Sequence, residues 1–157
     1  MSISIFEAIR NRPNLYIKDI EGLFEKIDEV IISEGFRSTI QYDKVNGRVS
    51  LTAINYKYSV YKKLLYGNKN NNMVDDLTKM YSCGNIKFIG RCLFGYGVIL
   101  NSISQELQIS AWDGEVKYNM ECINDNITKF HIDQDGIHGL SITAFIRSDF
   151  TKYFRKV

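Results

Sequence analysis

The sequence has few of the residues that cross-link or interrupt a chain. It contains one proline, one tryptophan and three cysteines among 157 residues, and no segment approaches the roughly 18 apolar residues of a membrane-spanning helix. Cys83, Cys92 and Cys122 are far apart and form no CxxC pair, which indicates neither a disulfide framework nor a zinc site. We therefore expect one cytoplasmic domain over residues 1–157, without a metal ion.

The charged residues are nearly balanced, with 20 basic against 18 acidic side chains and a net charge of +2. This excess is too small to indicate a nucleic-acid or membrane partner, so we expect neither. The densest basic run, Lys152, Arg155 and Lys156, predicts a solvated tail.

Two histidines lie near two aspartates late in the chain. His131 and His138 are seven residues apart, with Asp133 and Asp135 between them. Such a group can resemble a metal or acid–base site. Loop histidines among aspartates are more often solvated, however, and we predict that these two histidines are solvated.

Apolar periodicity defines the first half of the chain. Steps of three and four residues predict a helix over 20–34. Two β-rich runs follow at 38–43 and 48–54, joined through Asn46–Gly47, a dipeptide that favours a tight hairpin because both positions accept positive φ.

The second half predicts short helices, then a β-meander. The resulting class is α+β, a two-layer sandwich of a mostly antiparallel mixed β-sheet with helices on one face. The predicted elements are helices at 60–66, 73–82 and 97–104, a strand-turn-strand unit over 107–122 turning at Asp113–Gly114, and strands near 127–132 and 140–147 around a turn at Asp135–Gly136.

Five blocks, in order, carry a family resemblance. They are EAIRNRPNLYI (7–17), GLFEKIDEVIIS (22–33), KLLYGNKNNN (63–72), LFGYGVILNSISQELQISAWDGEVKYNME (93–121) and HGLSITAFIRSDF (138–150). Together they resemble the ATPase domains of the DNA gyrase B subunit and topoisomerase IV. The resemblance implies the GHKL (Bergerat) fold, in degenerate and shortened form.

The resemblance places the family's catalytic pair on the first long helix. Its water-activating glutamate matches Glu29, and the magnesium-binding asparagine four residues later matches Ser33. Serine is shorter and lacks the amide carbonyl oxygen, so it is a poor substitute for that ligand. An exposed helical glutamate is the alternative interpretation of Glu29.

The adenine-binding motif is changed more completely. The family's DDGRGIP matches a stretch in which Ala53 and Ile54 stand at the aspartates and Asn55 stands at the first glycine. A polar base edge that faces an apolar side chain loses its hydrogen-bond partner, which costs about 1–3 kcal/mol. This loss speaks against ATP binding.

The phosphate-binding lid, GGLHGVG in the family, is partly preserved. Gly95 and Gly97 match family glycines, whereas Arg91 and Cys92 replace the first two. Side chains there obstruct a close approach of the backbone to phosphate. Gly95 and Gly97 can instead serve the turn into helix 97–104, while Arg91 leaves room for residual affinity for an anion.

The last motif, GT, has its threonine replaced by Leu140. We therefore predict a pseudo-ATPase with no catalytic residue, a vestigial Glu29, a vestigial lid (Arg91, Gly95 and Gly97) and no cofactor. Relative to the family, this chain also lacks the N-terminal arm and the second domain, so we do not expect ATP-driven dimer closure from it alone.

Tyrosine is the distinctive surplus, with ten in the chain. Many lie where the family has its pocket-covering and lid segments, interleaved with basic residues. Tyrosine is enriched at protein interfaces, although ordinary core and surface tyrosines would give the same count. The predicted partner surface comprises Tyr56, Tyr58, Tyr61, Lys62, Tyr66 and Tyr96.

By elimination, the sequence predicts a non-catalytic protein-binding domain on a gyrase-B-type scaffold. An immunity protein that neutralises a cognate toxin is one concrete form, and we expect the chain alone to be monomeric. Two alternatives are a sensor that binds ATP without hydrolysing it and a modulator of DNA gyrase.

Overall fold

The computed structural model describes residues 5–57, 93–112, 114–134 and 138–156. Within these ranges the chain forms three α-helices, six strands and two 3-10 turns, at Pro13–Leu15 and Ser148–Tyr153. In chain order the elements are α1 (Ile5–Asn11), α2 (Ile20–Ser33), β1 (Thr39–Asp43), β2 (Arg48–Ile54), α3 (Leu93–Ile103), β3 (Ser104–Trp112), β4 (Lys117–Ile123), β5 (Asn126–Asp133) and β6 (Gly139–Ile146).

The long helix α2 agrees with the predicted helix at 20–34. Asp19 caps its N-terminus, because the Asp19 carboxylate accepts a 2.6 Å hydrogen bond from the backbone N–H of Gly22. Leu23, Ile27 and Ile31 are buried on one face, as the periodicity required.

The strands form one antiparallel sheet in the order β1-β2-β6-β3-β4-β5. The hairpin between β1 and β2 turns at Asn46–Gly47 as predicted, with Gly47 at φ +67° and the backbone N–H of Asn46 donating to Asp43. The predicted α+β class with a mostly antiparallel sheet is therefore confirmed, and all neighbouring strands among the described residues pair antiparallel, without the mixed pairing that was also expected.

The two faces of the sheet differ in polarity. The face beneath the helices is apolar, with buried residues such as Leu51, Ile142 and Ile109 aligned across β2, β6 and β3. Two entirely polar rows cross the opposite, outer face from β1 through β2, β6, β3 and β4 to β5. They are Thr39–Thr52–Ser141–Ser110–Asn119–His131 and Gln41–Ser50–Thr143–Gln108–Glu121–Lys129.

Helix α3 begins earlier than predicted. It runs from Leu93 to Ile103, whereas the sequence indicated 97–104. The helix contacts α1, α2 and the sheet, and Val98, Ile99 and Leu100 are all buried in succession. A helix buried on several sides has no amphipathic stripe to mark its start, which explains the error.

The basic side chains of the C-terminal run are exposed, as predicted, but the run is anchored to the fold and is not a free tail. Phe154 is buried, and the Arg155 guanidinium donates hydrogen bonds to the carboxylates of both Asp19 and Glu25. The backbone N–H of Arg155 also donates to Glu21. These partners are at least 130 residues away in sequence, so no local pattern reveals them.

Several predicted features lie outside the described residues. They are the helices at 60–66 and 73–82 and the turn at Asp135–Gly136. None of the helices that are described is both long and apolar enough to cross a membrane.

Candidate functional site

The positions that match the adenine-binding and GT motifs are direct neighbours in the fold. Ala53 near the end of β2 pairs with Leu140 near the start of β6 in the antiparallel register. Both side chains are buried in the apolar core. We call this buried pair of side chains, Ala53 and Leu140, the apolar floor. Neither side chain carries a hydrogen-bonding group.

The backbone around this floor is closely packed. Gly139 has φ +130°, and a Cβ atom added there would lie 2.2 Å from the carbonyl oxygen of Ala53 and 2.9 Å from the amide nitrogen of Asn55. Asn55 also has a positive φ of 64°, and its N–H donates to the carbonyl of His138 at 2.9 Å. Glycine at 139 thus lets β6 approach the end of β2 without steric clash.

Tyr56 was predicted to lie on a partner surface, and this prediction is wrong. Its side chain is only 1% exposed, and its hydroxyl donates a 2.7 Å hydrogen bond to Glu34 at the C-terminal end of α2. The ring packs edge-to-face on Phe36 at a centroid distance of 5.2 Å. Tyr56 therefore joins the end of β2 to the end of α2 from inside the fold. Burial raises the pKa of Glu34, and this hydrogen bond partly opposes the rise.

The two positions that match the catalytic pair lie on the exposed side of α2. The Glu29 side chain is 66% exposed, and one of its oxygens is 3.7 Å from the Lys26 ammonium nitrogen. The Ser33 hydroxyl donates to the carbonyl of Val30 within the same helix at 2.6 Å. Both side chains are thus exposed, and the Ser33 hydroxyl is engaged within its own helix.

The two glycines that match lid positions of the family motif lie within a helix. Gly95 and Gly97 fall in the first turns of α3 rather than in the turn that precedes it, which corrects the expectation from sequence. Gly97 is also buried. Arg91, which was also predicted to be part of a vestigial lid, lies outside the described residues, so the anion contact suggested for it stays a prediction.

A groove of about 320 Å³ lies beside α2, between Gly22 and Glu29. It brings together Glu29 and Tyr96, which the sequence analysis selected separately, and adds the segment before α2 and the C-terminal arginine. We call it the α2 groove; it is lined by Tyr16, Ile17, Lys18, Asp19, Gly22, Leu23, Glu25, Lys26, Glu29, Tyr96 and Arg155.

The charges of the α2 groove are largely paired with one another. Arg155 bridges Asp19 and Glu25, with nitrogen–oxygen distances of 3.0 and 2.8 Å. Hydrogen bonds from this guanidinium hold the pKa of both carboxyls below their usual values. Sequence reasoning missed this cluster. Asp19 was recognisable as an acidic residue directly before the helix, but Arg155 gave no local signal.

The histidines do not form a common site. His131 on β5 lies 3.3 Å from Asp133 and is exposed. The His138 ring stacks in parallel on Trp112, with centroids 4.2 Å apart, and Lys57 lies 5.6 Å from the Trp112 ring centroid. Across the described segments, no group of three or more His, Cys, Asp or Glu side chains is placed to hold a metal ion.

The rest of the predicted partner surface is only partly located. Tyr96 is half-buried and lines the α2 groove. Tyr58, Tyr61, Lys62 and Tyr66 lie outside the described residues. The partner surface therefore stays a prediction except at Tyr56, where it is wrong.

The sequence matches no family model and no curated protein, but its fold matches solved structures. The ATPase region of Saccharomyces cerevisiae topoisomerase II aligns with a TM-score of 0.63 and 14% identity, over 97% of this chain and 52% of that chain. The same region bound to ICRF-187 aligns with a TM-score of 0.61 and 16% identity, over 99% and 52%.

A bacterial structure gives the same result. The 43K ATPase domain of Thermus thermophilus gyrase B, in complex with an aminocoumarin, aligns with a TM-score of 0.58 and 14% identity, over 97% of this chain and 42% of that chain. This chain thus spans about half the length of the structures it matches. Its fold is that of the GHKL ATPase regions, which confirms the fold implied by the ordered motifs.

Proposed function

We propose that this chain is a protein-binding domain on a GHKL scaffold that does not hydrolyse ATP. The observation that carries the proposal is the apolar floor formed by Ala53 and Leu140, at the positions where the family's motifs have a carboxylate and a hydroxyl. Neither side chain offers a hydrogen-bond acceptor, so an adenine amino group brought to these positions would lose its hydrogen bond to water without replacement.

The α2 groove has no excess of positive charge with which to hold a polyphosphate. Three carboxylates and three basic side chains line it, and two of the basic groups, Arg155 and Lys26, are already paired with these carboxylates. A triphosphate would meet acidic side chains and would have to displace existing ion pairs. The preserved Glu29 is therefore a base without a bound substrate to act on.

The same groove has properties that suit a protein partner. Tyr16 and Tyr96 line it, and Leu15, next to Tyr16, is 70% exposed. Tyrosines beside an exposed aliphatic side chain, with paired charges around them, are typical of protein interfaces. A partner could cover these apolar groups without breaking the ion pairs.

The first experiment tests nucleotide binding. We expect neither heat in titration calorimetry nor a rise in melting temperature when millimolar ATP and magnesium are added. A gyrase B ATPase domain measured in parallel is the positive control. A shift of several degrees for this chain would overturn the proposal in favour of an ATP-binding sensor.

The second experiment tests protein binding. The specific form we propose is an immunity protein, whose toxin is encoded by a neighbouring gene. Co-expression should give a one-to-one complex and restore growth, and Tyr16→Ala or Tyr96→Ala should weaken binding by about tenfold or more. Tyr153→Ala, which removes a half-buried tyrosine outside the groove, is the matched control. Failure to bind any neighbouring product, or inhibition of gyrase supercoiling instead, would refute the immunity role.

A further inference from the structure

Strand β5 is an edge of the sheet formed by the described residues. It pairs with β4 on one side only. Along its other side, the described strands offer no partner for the backbone N–H and C=O groups. An open edge of this kind is a template for another strand, and natural proteins usually protect it.

The regular part of β5 is short and well defined. Register with β4 is continuous from Lys129 to Asp133, and the irregularity lies before it, around Thr128. His131 is the central residue of this five-residue stretch. A strand added here would therefore have a natural centre at His131.

Side chains alternate along the same stretch. Phe130 lies on the apolar side of the sheet and packs against the core, and Ile132 on the same side is 53% exposed. Lys129, His131 and Asp133 lie on the outer polar face and are exposed. The edge thus has an incompletely covered apolar side and opposite charges at the two ends of its outer side.

This pattern is complementary to itself. In an antiparallel pair centred on His131, Lys129 of each copy stands opposite Asp133 of the other, and Phe130 stands opposite Ile132. Directly opposed unlike charges and apolar pairs both stabilise antiparallel strands. A lysine on an edge strand usually prevents pairing, but here the Asp133 carboxylate of the other copy would neutralise Lys129.

We propose that two copies of this chain associate through β5, so that the six described strands of each copy join in one continuous sheet about a twofold axis at His131. α3 packs on β3 and β6, two and three strands away from this edge, so β5 can meet its copy without contact between the α3 helices. The partner strand would cover Ile132. Such a dimer differs from the monomer expected from sequence, and the proposal does not depend on the proposed function.

Sedimentation velocity at increasing concentration tests the proposal. The wild-type chain should pass from monomer to dimer within the micromolar range. Lys129→Asp should weaken the dimer by about tenfold or more, because two attractive pairs per dimer become repulsive. Combining it with Asp133→Lys should restore the dimer, since the swapped charges are again complementary.

A matched control and a second measurement locate the contact. Lys156→Asp makes the same change of charge at an exposed C-terminal position and should alter the dimer constant by less than about twofold. In hydrogen exchange, residues 129–133 should gain protection at high concentration. The proposal would be overturned by a chain that stays monomeric. It would also be overturned by a dimer whose dissociation constant is the same in the wild type, in Lys129→Asp and in the double variant with Asp133→Lys.

Discussion

Substitution of Gly139 tests quantitatively how closely β6 approaches the end of β2 beside the apolar floor. In Gly139→Ala the new Cβ would lie 2.2 Å from the carbonyl oxygen of Ala53 in β2, and residue 139 would have to keep its φ of +130°. The unfavourable φ costs about 1–3 kcal/mol, and the clash adds about 1–3 kcal/mol because the paired strands cannot easily separate. The free energy of unfolding should therefore fall by about 2–6 kcal/mol, a large part of the roughly 5–15 kcal/mol of a typical domain.

Gly35→Ala is the matched control for this substitution. Gly35 also has a positive φ, +89°, but a Cβ added there would meet nothing within 4 Å. Only the conformational cost should appear, about 1–2 kcal/mol. Urea unfolding followed by circular dichroism measures both variants. If Gly139→Ala destabilises the chain no more than Gly35→Ala, the close approach of β6 to β2 is not as described.

Three further outcomes follow from the described contacts. Tyr56→Phe should lower the free energy of unfolding by about 1–2 kcal/mol, because Glu34 loses its hydrogen-bond donor; urea titration measures this. Arg155 lowers the pKa of Asp19, so its stabilisation is present above the unfolded pKa near 3.8 and is lost as pH falls through the lower folded value. Arg155→Gln should therefore flatten the acid limb of the melting temperature plotted against pH. Burial raises the pKa of the Cys122 thiol to about 12, so iodoacetamide at pH 8 should label it only after unfolding, as mass spectrometry would show; labelling in the native state would contradict its burial.

The parts of the fold that sequence predicted well depend on neighbouring residues. The helix α2 is marked by its apolar steps, and the hairpin of β1 and β2 is marked by Asn46–Gly47. Both signals act within a few positions of the chain, where backbone geometry dictates which side chains share a face.

The errors arose where distant residues decide the structure. Arg155 looked like part of a solvated tail because Asp19 lies 136 residues away. Tyr56 looked like an interface residue because its partner Glu34 belongs to another element. In both cases a polar group is held by a tertiary contact that no local pattern contains.

Motif comparison predicted part of the candidate site. It selected Ala53 and Leu140 separately, and the β2–β6 register places them side by side. It also selected Glu29, which lines one groove with Tyr96, a residue selected from the surplus of tyrosines. It could not show that Asp19 and Arg155 complete that groove, because neither matches a family motif.

The alternation of the sheet has a consequence for how such a domain can change its role. A slip of one residue between β2 and β6 would expose the apolar side of a strand and bury the polar side. Each alternating position along the paired stretch therefore favours the same register. Ala53 and Leu140 lie near one end of that paired stretch, so the other pairs between β2 and β6 specify the register without them. The side chains at these two positions can therefore differ in polarity while the remaining β2–β6 pairs keep the two strands in register.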